Sequence, residues 1–588
     1  MTKMALGKGV FCDIVDLMVR DNLIKAIKEE LRYLGVKSPK FDLEHPQDFV
    51  RGDYSTNVAM VYAKKLGRDP IELAGDIVQK LKDKNLEYVE KITVAGFGFI
   101  NFHLTSSFFE KSLQNIIDDK NFGQVKTLKK HKIIIEYTDP NPFKVFHIGH
   151  LMSNSIGEAL SRLLEWNGAE VKRAIYQGDV GMHVAKAVYG MRQKPGKVLQ
   201  FRVLGNVNSR INFLGESYVV GAGVFESDKV AENNIKEINK KIYERTDKAV
   251  NYLYDLGRKW SLDYFETIYK KLGTKFDFYF FESESGPFGK KLVENNLKSQ
   301  VFEQSEGAIV YKGEAEGLHT RVFMNSEGLP TYEAKELGLA QLKADKYDYT
   351  DSIVVTANEQ LDYFKVVLSV MEKILPDLAS KTTHIVHGLL LLPTGKMSSR
   401  TGDVIAAETL LAQIEEKVME KMVDRMLSKK EKKNIATKIA VGALKFSVLK
   451  QSPGRDIIFD FDKSLSFEGD SGPYLQYTAV RAKSVLDKAH ELKIDINTNK
   501  KDDNILVLER MLYQLPEVVE RAGQDKSPQL LVTYLSDVAG AFNSFYGSTK
   551  ILDENNESAS YYLGLTKATR RVLKNGLSIL GILVPDKM

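Results

Sequence analysis

Cysteine is nearly absent from this chain of 588 residues. Cys12 stands alone, so no disulfide can close within the chain and no multi-cysteine zinc site can be built. A lone cysteine suits a reducing compartment, and a cytoplasmic protein is expected. Long apolar runs are missing too. The apolar residues near the start (Val10, Phe11, Ile14, Val15, Leu17, Met18) are interrupted by Asp13, Asp16 and Arg20, unlike a signal-peptide core, and no run is long enough to span a bilayer. No membrane partner is therefore expected. The glycine-rich string of a P-loop is absent, which disfavours a P-loop ATPase. The net charge of +5 is far below that of a histone-like binder and only hints at an anionic partner. No internal repeat and no low-complexity tract occurs.

What is present is an ordinary globular composition in a chain too long for one core. Three domains are expected. Residues 1–125 read as a small α+β unit. It has an amphipathic helix from Asp16 to about Leu34, a loop at 52–57, a helix from Val58 to Leu66 and another starting at Pro70. Two strands, Lys91–Val94 and Phe99–Leu104, flank a Gly96/Gly98 turn. Residues 126–408 alternate strand and helix, which argues for a Rossmann-type parallel sheet with ligands at the strand C-termini. Near 191–281 that pattern weakens into loops and charged helices, read as an insertion. Ala308–Tyr311 and Thr320–Met324 resume strands, followed by a helix from Tyr332 and a buried strand at Ser352–Thr356. Residues 409–588 read as an all-α bundle, with helices at Glu431–Leu449, Tyr474–Leu492, Ile505–Ala522, Leu530–Tyr546 and Thr566–Leu580.

The chemistry concentrates at Asp139-Pro140-Asn141-Pro142-Phe143-Lys144-Val145-Phe146-His147-Ile148-Gly149-His150. A strongly apolar strand, Lys132–Tyr137, precedes it and a helical pattern follows. A helix N-terminus offers unpaired N–H groups and a positive dipole end, which suit phosphate. Gly149 lets backbone approach a ligand. His147 and His150 can donate ring hydrogens to phosphate oxygens. Far downstream, Gly395-Lys396-Met397-Ser398-Ser399-Arg400 offers a second cationic phosphate site, with Lys396 as a point charge for a leaving pyrophosphate. Either string alone carries little weight. Together, in this order and after these strands, they point to nucleotide chemistry.

The pair resembles the two motifs of class I aminoacyl-tRNA synthetases. The resemblance implies attack of an amino-acid carboxylate on the α-phosphate of ATP, then transfer of the aminoacyl group to a terminal ribose of tRNA. ATP with Mg²⁺ is the expected cosubstrate, and no tightly bound, protein-ligated metal is expected. Ser399 stands where many relatives carry a second lysine. Lys144, three residues before His147, could supply that cation from the other side of the phosphates; this arrangement resembles arginyl-tRNA synthetases, several of which lack the second lysine and carry one just before the first motif. By the same likeness Gly149, Asp179, Gly181, Met397, Ser398 and Ser399 serve ATP.

L-Arginine is the amino acid implied. Tyr332 and Glu336 stand at i and i+4 on one helical face, and a guanidinium wants an acid and an aromatic surface. The family places a tyrosine and the shorter aspartate there. Asn141, His147 and Gln360 would complete the arginine site. The strings at 52–57 and 96–101 resemble the additional N-terminal domain of arginyl-tRNA synthetases, which touches tRNA. The C-terminal bundle resembles their anticodon-binding domain, with tRNA(Arg) as the partner. Tyr474, Tyr477 and Arg481 fall on one helical stripe suited to stacking and phosphate contact. Tyr546 and Met588 join them by likeness, and Arg570 belongs to a basic face with Lys567, Arg571 and Lys574. A monomer is expected.

Two rivals stay open at this stage. A class I synthetase for cysteine would need zinc-binding cysteines, and one for glutamate a basic pocket. A non-catalytic tRNA-binding relative would have no need of His147, His150 and Lys396.

Overall fold

The structure, a computed structural model, describes residues 15–391, 406–500, 504–553 and 555–588. The N-terminal unit is α+β with its own core around Leu23, Ile27, Tyr54, Phe102 and Phe108. Its antiparallel sheet pairs Val89–Ala95 with Phe99–Leu104, and the latter with Tyr54–Thr56. The segment at 52–57, expected as a loop, therefore carries a short strand. The fully buried Tyr54 ring holds it inward, and Asp53 accepts from Leu104 N–H at 2.8 Å. Pro70 does open a helix, at its first position, with Asp69 accepting from the N–H groups of Ile71 and Glu72.

The central domain is built on five parallel strands: β1 (Lys132–Glu136), β2 (Glu170–Gln177), β3 (Phe278–Phe281), β4 (Asp351–Ala357) and β5 (Thr382–His387). Their order is β5-β4-β1-β2-β3. Strand order reverses between β1 and β4, and in such sheets ligands sit outside the carboxyl ends at that point. The β1 run Ile133–Ile135 is buried on both faces, as a central parallel strand must be. Helix α1 (Ile148–Trp166) follows it. Gly157 of α1 lies against Tyr137, whose ring would be 2.1 Å from a Cβ there, so the helix seats close to the sheet.

The expected insertion is the crossover from β2 to β3, and it is helical nearly throughout. Its helices are Met182–Arg192, Pro195–Leu204, Val207–Ser227, Lys229–Glu244 and α2 (Lys248–Leu272). Gly190 and Gly221 let the helices Met182–Arg192 and Val207–Ser227 pack backbone to backbone. A Cβ at either would lie 2.0 Å from a carbonyl oxygen of the neighbouring helix, at Ser217 and Lys186. Ala308–Tyr311 and Arg321–Met324 are strands, but they join Glu303–Ser305 in a separate antiparallel sheet. The connection between them is shorter than the dozen or so residues a parallel crossover takes. Helix α3 (Tyr332–Lys346) then leads to β4.

The C-terminal region is helical: Ala407–Lys421, Lys429–Leu449, α4 (Gly472–Glu491), Val507–Leu512, Leu515–Gln524, Pro528–Ser548 and Ala559–Ile579. The helix expected over Ile505–Ala522 is split, because Pro516 cannot continue a helix from the preceding turn. The break drives Tyr513 into the N-terminal core, where it is 1% exposed. Among the described residues no helix is long and apolar enough to cross a membrane.

Candidate active site and a second, basic aromatic cavity

A cleft of about 590 Å³ opens at the carboxyl ends of β1, β2, β4 and β5. The turn after β1 enters it under constraint. Thr138, Asp139 and Phe143 all have positive φ (86°, 43° and 65°), which side chains other than glycine rarely adopt. Four anchors hold them there. Thr138 N–H donates to Ser153 Oγ (3.0 Å) and Tyr176 N–H to Asp139 Oδ1 (2.8 Å). Gly178 N–H donates to Asn141 Oδ1 (3.2 Å), and Phe143 N–H to Ser261 Oγ of α2 (2.9 Å).

The two histidines cap α1 reciprocally. Gly149 N–H donates to His147 Nδ1 (3.2 Å), and His147 N–H donates to His150 Nδ1 (3.1 Å). The rings stack with centroids 3.6 Å apart. An Nδ1 that accepts leaves the ring hydrogen on Nε2. Burial first, and the Lys144 charge second, pushes His147 down to about 4. Burial, His147 and Lys144 hold His150 well below the ordinary imidazole range. Both are therefore neutral Nε2–H donors, matched to phosphate oxygens.

The other end of the cleft is acidic. Glu136, Asp139, Glu282, Glu333 and Glu336 line it, Glu359 lies beyond the end of β4, and Arg321 is the only lysine or arginine among the described lining residues. Glu136 is paired with Lys343 at 2.9 Å, both almost fully buried. Glu282 is paired with Lys335 at 2.6 Å, and Lys335 also donates to the Tyr243 hydroxyl. Glu336 is 8% exposed and makes no hydrogen bond among the described residues. Burial, then the Glu136 charge, pushes its carboxyl up to about 8, against the pull of Lys343. Burial also raises Glu282. Nothing in the structure explains why glutamate rather than the shorter acid stands at 336.

Asn141, His147, Gly149, His150, Tyr332, Glu336 and Gln360, all expected from sequence, meet in this one cleft. Lys144 is exposed, and its charge depresses His147, His150 and His183. Asp179 stands elsewhere. It is fully buried, accepting from the Tyr254 hydroxyl (2.9 Å) and from Ser283 N–H and Oγ, and it pairs with Arg258 of α2 at 3.0 Å. It thus ties β2 to α2 and to the end of β3. Gly181 (φ 122°) starts the helix Met182–Arg192 and does not line the cleft. Lys396, Met397, Ser398 and Ser399 lie outside the described residues.

Sequence reasoning missed Glu136, Asp139, Glu282, Arg321 and His387. The acid closing the apolar run Ile133–Ile135 was a signal for the first. Asp139 opens the informative stretch itself, but Glu282, Arg321 and His387 gave no signal, because only the tertiary fold brings them to the cleft.

A second cavity, of about 570 Å³, lies in the helical region. It is lined by Tyr477 and Arg481 of α4, by Tyr546 and Met588, and by Arg425, Lys488 and Lys550, with no aspartate or glutamate among the described lining residues. The Arg481 guanidinium sits between the Tyr477 and Tyr546 rings, 4.7 and 5.0 Å from their centroids. It donates to Asn543 Oδ1, and Asn543 Nδ2 donates to the Tyr474 hydroxyl (3.0 Å). Tyr474 therefore braces the site from behind. Arg570 is half-buried and away from this cavity, while its neighbour Arg571 donates to the Ile117 carbonyl.

A parallel nucleotide-binding sheet, a histidine-capped helix at its switch point and an appended helical bundle define a class I aminoacyl-tRNA synthetase. Residues 112–461 match the family of class I tRNA synthetases (R), catalytic domain. Residues 21–104 match the arginyl tRNA synthetase N-terminal domain, and residues 475–588 the DALR anticodon binding domain. An arginine–tRNA ligase of Fusobacterium nucleatum is 30% identical, over 91% of this chain and 93% of that protein. One from Borrelia hermsii is 28% identical over 98% of each. The fold is shared with an arginyl-tRNA synthetase of Thermus thermophilus at a TM-score of 0.76 and 23% identity, covering 97% of this chain and all of that one. The chain belongs to the arginyl-tRNA synthetase family.

Proposed function

We infer that the chain is an arginine–tRNA ligase, converting ATP, L-arginine and tRNA(Arg) to arginyl-tRNA, AMP and pyrophosphate. The observation that carries this reading is a single cleft with neutral imidazole donors at the switch point and a carboxylate-lined end. His147 and His150 donate Nε2–H to the α-phosphate region. The chemistry asks mainly for positioning and charge neutralisation, which preorganised donors supply. Glu336 and Glu282 receive the guanidinium, Tyr332 covers it, and Asn141 Nδ2 and Gln360 orient the amino acid. Lys144, and Lys396 in the segment outside the described residues, balance charge on the leaving pyrophosphate. Mg²⁺ enters with ATP as part of the substrate. The acceptor in the second step is the 2′-OH of the terminal adenosine.

The cavity around Arg481 receives an unpaired base of tRNA, since aromatic faces and a guanidinium suit stacking and phosphate contact. Pyrophosphate exchange with arginine, with and without tRNA, tests the whole reading. Arginine-dependent exchange that rises with tRNA is expected. Exchange supported by another amino acid and not by arginine would refute the specificity, and a protein that binds tRNA but neither exchanges nor charges would refute catalysis.

A further inference from the structure

His387 closes β5 and lines the same cleft, yet the reaction as described gives it no part. Its neighbours set it apart from His147 and His150. The acidic residues gather toward β1, β3 and α3, whereas the β4–β5 end presents Val355, Ala357, Phe364 and Leu389, with Glu359 and Gln360 at its edge. A cleft so graded places the cation of arginine at one end. The flat, largely apolar base of the nucleotide goes at the other, with phosphates between, at the α1 N-terminus.

Register supports the spacing. His387 pairs with Ala357 across β4–β5, and β4 lies beside β1. Two strand spacings put it roughly 10 Å from the β1 end, the scale of a nucleoside 5′-phosphate. The wall beside it is fixed. Phe364 stacks on His384 with centroids 4.0 Å apart, and His384 Nε2 is 2.8 Å from Thr356 Oγ1.

The decisive feature is the ring's hydrogen. His387 Nδ1 is 2.7 Å from the Gly388 carbonyl oxygen, which can only accept. Nδ1 therefore carries the hydrogen. Burial lowers the ring's basicity, so the imidazole is neutral and Nε2 is a bare lone pair. Among the described residues Nε2 has no partner. This is the opposite polarity to His147 and His150, and a phosphate oxygen would be repelled there.

We propose that His387 reads the nucleoside of ATP, its Nε2 accepting one hydrogen bond from the adenosine, either the exocyclic amine or a ribose hydroxyl. The inference rests on the arginine–tRNA ligase reading and adds a specificity-determining residue to it.

The test measures KM for ATP in arginylation with wild type, His387→Phe and His387→Gln. It also compares ATP with 2′-deoxyATP, 3′-deoxyATP and purine riboside triphosphate, which lacks the amine. His387→Phe should raise the KM for ATP about tenfold, the usual worth of one hydrogen bond, and leave the KM for arginine within twofold. His387→Gln, which retains an acceptor at that reach, should recover most of the loss. One analogue should show the same rise on wild type and no further rise on His387→Phe, which names the donor. An unchanged KM for ATP in both variants, or analogue penalties identical on all three proteins, overturns the proposal. Should the Phe variant fail to fold, the Gln variant and the wild-type analogue series still decide it. A wild type that charges no arginine overturns the underlying reading instead.

Discussion

Arginine binding should expel a proton from the enzyme near neutral pH. Glu336 has its carboxyl pushed up to about 8, by burial first and by Glu136 second. At pH 7 only about one-tenth of such a group is ionised. A guanidinium arriving beside it demands the carboxylate, so close to one proton leaves per arginine bound. The same equilibrium makes affinity rise roughly fivefold from pH 7 to pH 8, as the ionised fraction grows from about one-tenth to one-half. Titration calorimetry at pH 7 in two buffers of different ionisation enthalpy reads the proton directly. Glu336→Gln should abolish the release and weaken binding.

The free protein gives an independent check. A folded-state pKa of about 8 against an ordinary 4.5 means the group's stabilising contribution is full below pH 4.5 and lost as pH rises through about 8. Glu336→Gln should therefore raise Tm at pH 9, with the gain shrinking toward pH 5. No proton release from wild type at pH 7 would refute the reasoning. Release that persists in Glu336→Gln would move the assignment to Asp139, which burial and Glu136 also raise well above the usual range.

Two further outcomes follow from the same geometry. Lys144→Ala should slow adenylate formation, read in single-turnover exchange, by more than it weakens arginine binding, because its charge acts beside the imidazole pair rather than at the acidic end. Equal losses in both would count against that role. Arg481→Ala should raise the KM for tRNA and flatten its salt dependence by about one counterion, with the KM values for ATP and arginine unmoved. An unaltered salt slope would show that the guanidinium serves only to pack Tyr477 and Tyr546.

The sheet, the histidine-capped helix and the helical C-terminal region were legible because each rests on local pattern: an apolar run for β1, a helix start at His147, amphipathic spacing after residue 406. So were Tyr332 and Glu336, which share one helix face. The rest of the acidic end was not legible, because Glu136 and Glu282 come from elements more than a hundred residues apart and neither is near Glu336 in sequence. Only the parallel register sets them together. Lys343 and Lys335 gave no warning either. They sit at helical positions where lysine normally faces water, and here each is buried against a carboxylate. Asp179 shows the reverse case. The family likeness implied an ATP contact there, while the fold engages that carboxylate with Tyr254, Ser283 and Arg258.

The buried pairs Glu136–Lys343 and Glu282–Lys335 also explain how so acidic a cleft persists without its substrate. Several bare carboxylates in one buried pocket would repel one another and lose hydration. Each lysine neutralises one acid from behind, and a carboxylate has lone pairs enough to accept from a lysine and from a ligand at once. Among the described residues Glu336 has no such lysine partner of its own, and it is the group driven toward protonation. The pocket floor thus holds two acids each in an ion pair with a buried lysine and one, on the arginine–tRNA ligase reading, that gains its charge when arginine supplies the cation. Discrimination against neutral amino acids follows. A side chain without a positive end gives Glu336 no reason to ionise, leaves its proton in place, and forfeits the interaction on which binding at that end of the cleft depends.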